Sequence, residues 1–211
     1  MDDMNIRGYA STNATATSGL FCSGIKGGYT WTLVSILGDM LSEAELRFGP
    51  RDMSWTILGV EFSDRSSPQI WYPGNRKHIA VQLSKEAANC IPRAVYQLAH
   101  ETVHLLHPAR SIAAPVLEEG LATIFSEEIA RREQFNIVTS SEKYIAAASL
   151  TRELLKHDAD AILKIRAIEP SFCAVTPELL QQIVPQLDND TASLLCRPFK
   201  GFTPSETGQQ A

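Results

Sequence analysis

The 211-residue chain has no cluster of lysines and arginines. Its 19 basic residues face 24 acidic ones, for a net charge of −5 and a pI of about 5.5. That balance leaves no electrostatic footprint for nucleic acid, and no nucleic-acid partner is expected. There is no run of the roughly 18 apolar residues that a bilayer span requires, so no membrane partner is expected either. The four cysteines, Cys22, Cys90, Cys173 and Cys196, are scattered and form no CxxC pair. Buried free thiols are expected rather than a disulfide framework. The opening MDDMNIRGYASTNATATSGLFCSG lacks an apolar stretch behind a basic start, so no secretory signal is read. No internal repeat is visible. These absences lead to the expectation of a soluble, cytoplasmic protein.

What is present is a composition 44% apolar, enough for one domain with its own core. Residues 1–28 are rich in Ser, Thr, Asn and Gly and read as a mobile arm. Residues 29–197 read as a single domain, and 198–211 as a tail. YTWTLVSILGDMLSEAELRFG has helical spacing and stops at Gly49-Pro50. SWTILGVEF reads as a strand, and QIWYPGNRKHIAVQLS as two strands around a Pro-Gly-Asn turn. Helices are expected from about Pro92 to His107, Pro115 to Gln134 and Ser141 to His157, with two or three short ones after. Strands first and helices after is an α+β pattern. The sheet part spans about 54–84 and the helical part about 86–197.

The stretch YQLAHETVHLLHPARSIAAPVLEEGLATIF concentrates the chemistry. His100 and His104 are four apart on an expected helix, so they share a face, about 6 Å apart along the axis. Two imidazoles so placed can bind one zinc ion. Glu101 is rotated about 100° from His100 and can reach a metal-bound water without being a ligand. This is the HExxH arrangement of two ligands and one general base. A chance match arises in roughly one such sequence per hundred. The competing reading is a helix with histidines on its polar face.

A catalytic zinc takes three protein ligands and an open position. His107 lies on the same stripe about 10 Å from His100, too far along the axis for three rings to converge. It is read as a helix-end histidine before Pro108. The carboxylates of VLEEGLATIF, on the next helix, are better placed to be aimed at the ion.

HExxH followed by a helix carrying Glu-Gly-x-Ala resembles the gluzincin metallopeptidases, the thermolysin-like and aminopeptidase-like group. The resemblance implies a zincin-like fold, with a small mixed sheet packed on the active-site helix, and one Zn2+ per chain. It implies Glu119, directly before Gly120, as third ligand; Glu118 is the alternative, or a partner for a ligand histidine. Gly120 and Ala122 would let the two helices approach closely. In YIAAASLTRELLKHDADAIL, Tyr144 matches the tyrosine that in such enzymes hydrogen-bonds the oxyanion; a partly buried core or surface tyrosine is the other reading. KHIAVQLS resembles the sheet-edge strand that holds an extended peptide beside the cleft.

The resemblance covers about Ile79 to Leu163. The Gly-x-Met-Glu-Asn segment of true aminopeptidases is missing, and Thr123 stands where thermolysin-like helices carry Asp. Both departures argue against an exopeptidase and against a close thermolysin relative. The expected function is a zinc-dependent, selective endopeptidase acting on a protein or peptide substrate. Glu101 would act as base, with Tyr144, or Arg152 or His157 on the same helix, at the oxyanion. The alternative is a non-catalytic zinc-binding interaction module.

Overall fold

A computed structural model of the chain describes residues 21–25, 28–110 and 112–207. The fold is mixed α+β, with a small three-stranded sheet and, among the described residues, seven helices. Most of the arm expected over 1–28 lies outside the described residues. Its last part does not read as an arm: β1 (Phe21–Ile25) pairs antiparallel with β2 (Gly28–Thr32). Helix α1 therefore starts only at Leu33, where Thr32 and Ser35 cap each other reciprocally. It ends at Phe48, with Gly49 at φ 96° and Pro50 behind it. Leu33, Ile36, Leu37, Met40, Ala44 and Phe48 form its buried stripe.

The sheet joins β3 (Thr56–Phe62), β4 (Gln69–Trp71) and β5 (His78–Leu83) in the order β3-β5-β4. β3 runs parallel to β5, and β4 antiparallel to it across a turn with Gly74 at φ 64°. This corrects one expectation. The strand at Ile79–Ser84 is the centre of the sheet, and β4 is an edge. Ile79, Ala80, Val81 and Leu83 are buried, as a strand covered on both faces requires.

Helix α2 (Ile91–His104) opens with Pro92 in its first turn and packs on α1, on the sheet and on α3 (Val116–Arg132). Twelve of the 17 residues of α3 are buried, because α2, α4 (Glu142–His157) and α7 (Asn189–Cys196) all pack on it. Between α4 and α7 come α5 (Ala161–Ile168) and α6 (Pro177–Ile183). Arg166 of α5 is 3% exposed and donates to the carbonyls of Phe48, Gly49 and Pro50 at 2.8–2.9 Å. It thereby satisfies the end of α1 with charge-assisted bonds.

The stretch expected as a tail from residue 198 is packed into the domain as far as Phe202. The Val116 amide donates to the Arg197 carbonyl and the Phe199 amide to the Ala114 carbonyl, both at 2.9 Å. Phe199 and Phe202 are buried. Cys90, Cys173 and Cys196 are free thiols, while the Cys22 side chain lies outside the described residues. No described helix is long and apolar enough to cross a membrane.

Gly120 serves a different pair of helices from the expected one. A Cβ built there would run into the Thr151 hydroxyl and the Ala147 carbonyl of α4. The glycine therefore lets α3 approach α4, and it sits next to Glu119. Gly120→Ala should lower stability by about 1–3 kcal/mol, since backbone must move to make room. Chemical denaturation checks this, and an unchanged midpoint would contradict the close approach.

Candidate metal centre

The stripe of α2 that carries His100 and His104 faces the first turn of α3, which carries Glu118 and Glu119. Nε2 of His100 lies 3.2 Å from Oε2 of Glu119, and Nε2 of His104 lies 3.8 Å from the same oxygen. One ligand atom from each of His100, His104 and Glu119 falls within 4.8 Å of the others. Donors about 2.0–2.1 Å from one tetrahedral ion stand about 3.3 Å apart. The observed spacings bracket that value, so the residues fit zinc by donor type and by distance.

Glu118 stands outside this cluster and against the far side of the His104 ring. It is buried, and its Oε1 lies 2.8 Å from Nδ1 of His104. That contact fixes the ring so that Nε2 faces Glu119. Glu101, 4% exposed, lines the same cavity as the cluster. Thr123 donates its hydroxyl to the Glu119 carbonyl at 2.8 Å.

Burial, resisted by the two imidazoles, pushes the Glu101 carboxyl above the usual carboxylate range. Burial also pushes the Glu119 carboxyl up, but His104 and His100 outweigh it and hold the group below that range. Burial pulls His104 down, yet Glu119 and Glu118 outweigh it and lift the imidazole to about 10. Three carboxylates packed round two imidazoles lack positive charge, and in the metal-free chain protons supply it.

Tyr144 stands at the mouth of the cluster. Its ring lies edge-on to His100, 5.5 Å between centroids, and 4.8 Å from the Phe199 ring. Burial first, then the charges of Glu119 and Glu101, raise its phenol well above the usual range. The two other oxyanion candidates do not line the cavity. Arg152 pairs with Glu127, and His157 lies 3.6 Å from Glu153. His107 lies beyond the end of α2 and outside the cluster.

Sequence reasoning missed the other walls of this cavity of about 260 Å³, among them Tyr72, Ile112 and Cys173. Arg110 donates to the Tyr72 and Gly74 carbonyls and so fixes that side. Burial, helped by the Glu118 charge, pushes the Cys173 thiol up to about 11, so it stays protonated near neutral pH. No local pattern marks Cys173, which reaches the cavity from a turn far along the chain. No family model, curated protein or solved structure matches the chain.

The raised His104 sets a pH dependence. In the metal-free chain its stabilising effect is full below about 6.5 and is lost as the pH climbs through about 10. A metal needs the Nε2 lone pair, so binding displaces that proton. Zinc uptake at pH 7.5 should release about one proton or more, and affinity should rise with pH up to about 10. Calorimetry in buffers of different ionisation heat measures this. Uptake without proton release would contradict the assignment of His104.

Proposed function

We propose that the chain is a zinc-dependent peptidase of zincin-like fold, a selective endopeptidase built on His100, His104, Glu119 and Glu101. The observation that carries this reading is the convergence of two Nε2 atoms on one Glu119 oxygen, with a buried carboxylate beside them that is outside the ligand set. A structural site has no use for that extra carboxylate, which is why the enzyme is preferred over a non-catalytic zinc module. Zinc, when bound, supplies a Lewis acid and a water of lowered pKa.

The chain's own groups supply the rest. Glu101, made more basic by burial, accepts the proton of the attacking water and passes it to the leaving amine nitrogen. Tyr144, held as a neutral phenol, donates its O–H to the oxyanion that forms on the scissile carbonyl. Glu118 keeps the His104 ring in the tautomer that presents Nε2. The edge strand β4 contributes Gln69 and Ile70 to the cavity wall, where an extended peptide can add as a further strand.

Glu101→Gln separates metal binding from chemistry. It should keep zinc and thermal stability near wild type, while peptide hydrolysis falls by a factor on the order of 10² or more. His104→Ala should lose the zinc and some stability with it. Metal content, melting temperature and turnover of a peptide mixture read all three. Full activity in Glu101→Gln, with activity abolished in His104→Ala, would make the zinc structural and the peptidase reading wrong.

A further inference from the structure

A second cavity, of about 350 Å³, adjoins the metal cluster and shares Pro68, His100 and Tyr144 with the first. Its inner polar groups are already engaged. The Tyr96 hydroxyl pairs with Thr139 Oγ1 at 2.6 Å, and Thr139 donates to Glu127 at 2.6 Å. Gln97 holds Ser84 through both ends of its amide, at 3.0 and 2.9 Å. What is left for a ligand is largely apolar: the rings of Tyr96 and Tyr144, Pro68, Ile137, and Val138, which is 79% exposed. At the rim stands Arg93, exposed and without an ion pair among the described residues.

Arg93, Tyr96, His100 and His104 follow one another at helical spacing along a single stripe of α2. Arg93 is seven residues from His100, about 10 Å along the axis. That is the length of about three residues of extended chain. The segment around the edge strand β4 passes from one cavity to the other: Ser67 and Pro68 line the second, and Pro68, Gln69, Ile70 and Tyr72 line the first. We infer that the second cavity selects the substrate: it holds a large apolar side chain next to the scissile bond, and Arg93 binds a carboxylate two or three residues farther on. The inference rests on the peptidase reading for where the bond lies. The carboxylate can belong to an Asp or Glu side chain or to the peptide's own C terminus, because a guanidinium recognises both in the same way.

The test is binding as well as cleavage. Zinc-loaded Glu101→Gln protein is applied to an array of octapeptides with a fixed central Phe. Each other position is scanned with Asp, Asn or Lys, and each peptide is made with a free and an amidated C terminus. Binding should be about two- to fivefold stronger where Asp, or the free terminus, falls two or three residues from the Phe on one side. Adding Arg93→Glu should abolish that preference and favour Lys there, with zinc content unchanged. Asp acting in amidated peptides identifies the side chain as the source, and a preference confined to free ends identifies the terminus. Binding that ignores the carboxylate, is unchanged by Arg93→Glu, or is absent from the whole array overturns the inference. Carboxylate-dependent binding lost in Arg93→Glu upholds the two-point recognition of an apolar side chain and a carboxylate even if wild-type protein cuts none of these peptides, a result that would count against the peptidase reading and its scissile bond alone.

Discussion

Two helices meet around a knot of buried charge, and the rest of the molecule is arranged to hold that knot shut. Glu101, Glu118 and Glu119 are packed against His100 and His104 with little access to solvent. Ionised carboxylates are costly to bury unless a positive group compensates them. The metal-free chain meets this with a proton on His104, whose affinity for it is raised to about 10. A divalent cation among the same atoms would meet it more fully, and under the proposed reading it also becomes the reagent.

The surrounding fold fixes the two helices from several directions. Gly120 seats α3 against α4 at the residue after Glu119. The bonds between Ala114–Val116 and Arg197–Phe199 pin the segment that leads into α3. Phe199, from that same late segment, packs its ring at a tilt against Tyr144. One short piece of chain near residue 198 thus braces both the carboxylates and the tyrosine. Arg166 ties the end of α1 to the residues that follow α2, by binding the carbonyls of Phe48, Gly49 and Leu106.

Much of this was legible in the sequence because it is local. Two histidines four apart on a helix must share a face, and Glu101 must sit off that face. Helix geometry alone does not divide Glu118 from Glu119, and only the resemblance favoured Glu119; one residue of helical rotation decides between them, and the packing of α3 fixes that rotation. The same rotation explains Gly120. If Glu119 faces α2, the next residue is turned about 100° away and meets α4 instead. The strand of KHIAVQLS, expected at the sheet edge, is central instead, and IAVQL carried the signal. A near-continuous apolar run belongs to a strand covered on both faces rather than to an edge. Phe199 and Phe202 were the signal that the supposed tail is anchored, since two buried aromatic rings hold it to the domain. The Arg93 rim depends on where residues 137–141 fold back, which no local pattern specifies.

The central claim is that His100, His104 and Glu119 form a metal centre. Anomalous diffraction at the zinc edge, on crystals of untagged, zinc-loaded protein, tests it most directly. The account predicts one strong peak per chain, about 2 Å from the two histidine Nε2 atoms and from one Glu119 carboxylate oxygen. No peak between these residues, or a peak on Cys173 or His107 with the Glu119 carboxylate turned to solvent, would contradict it.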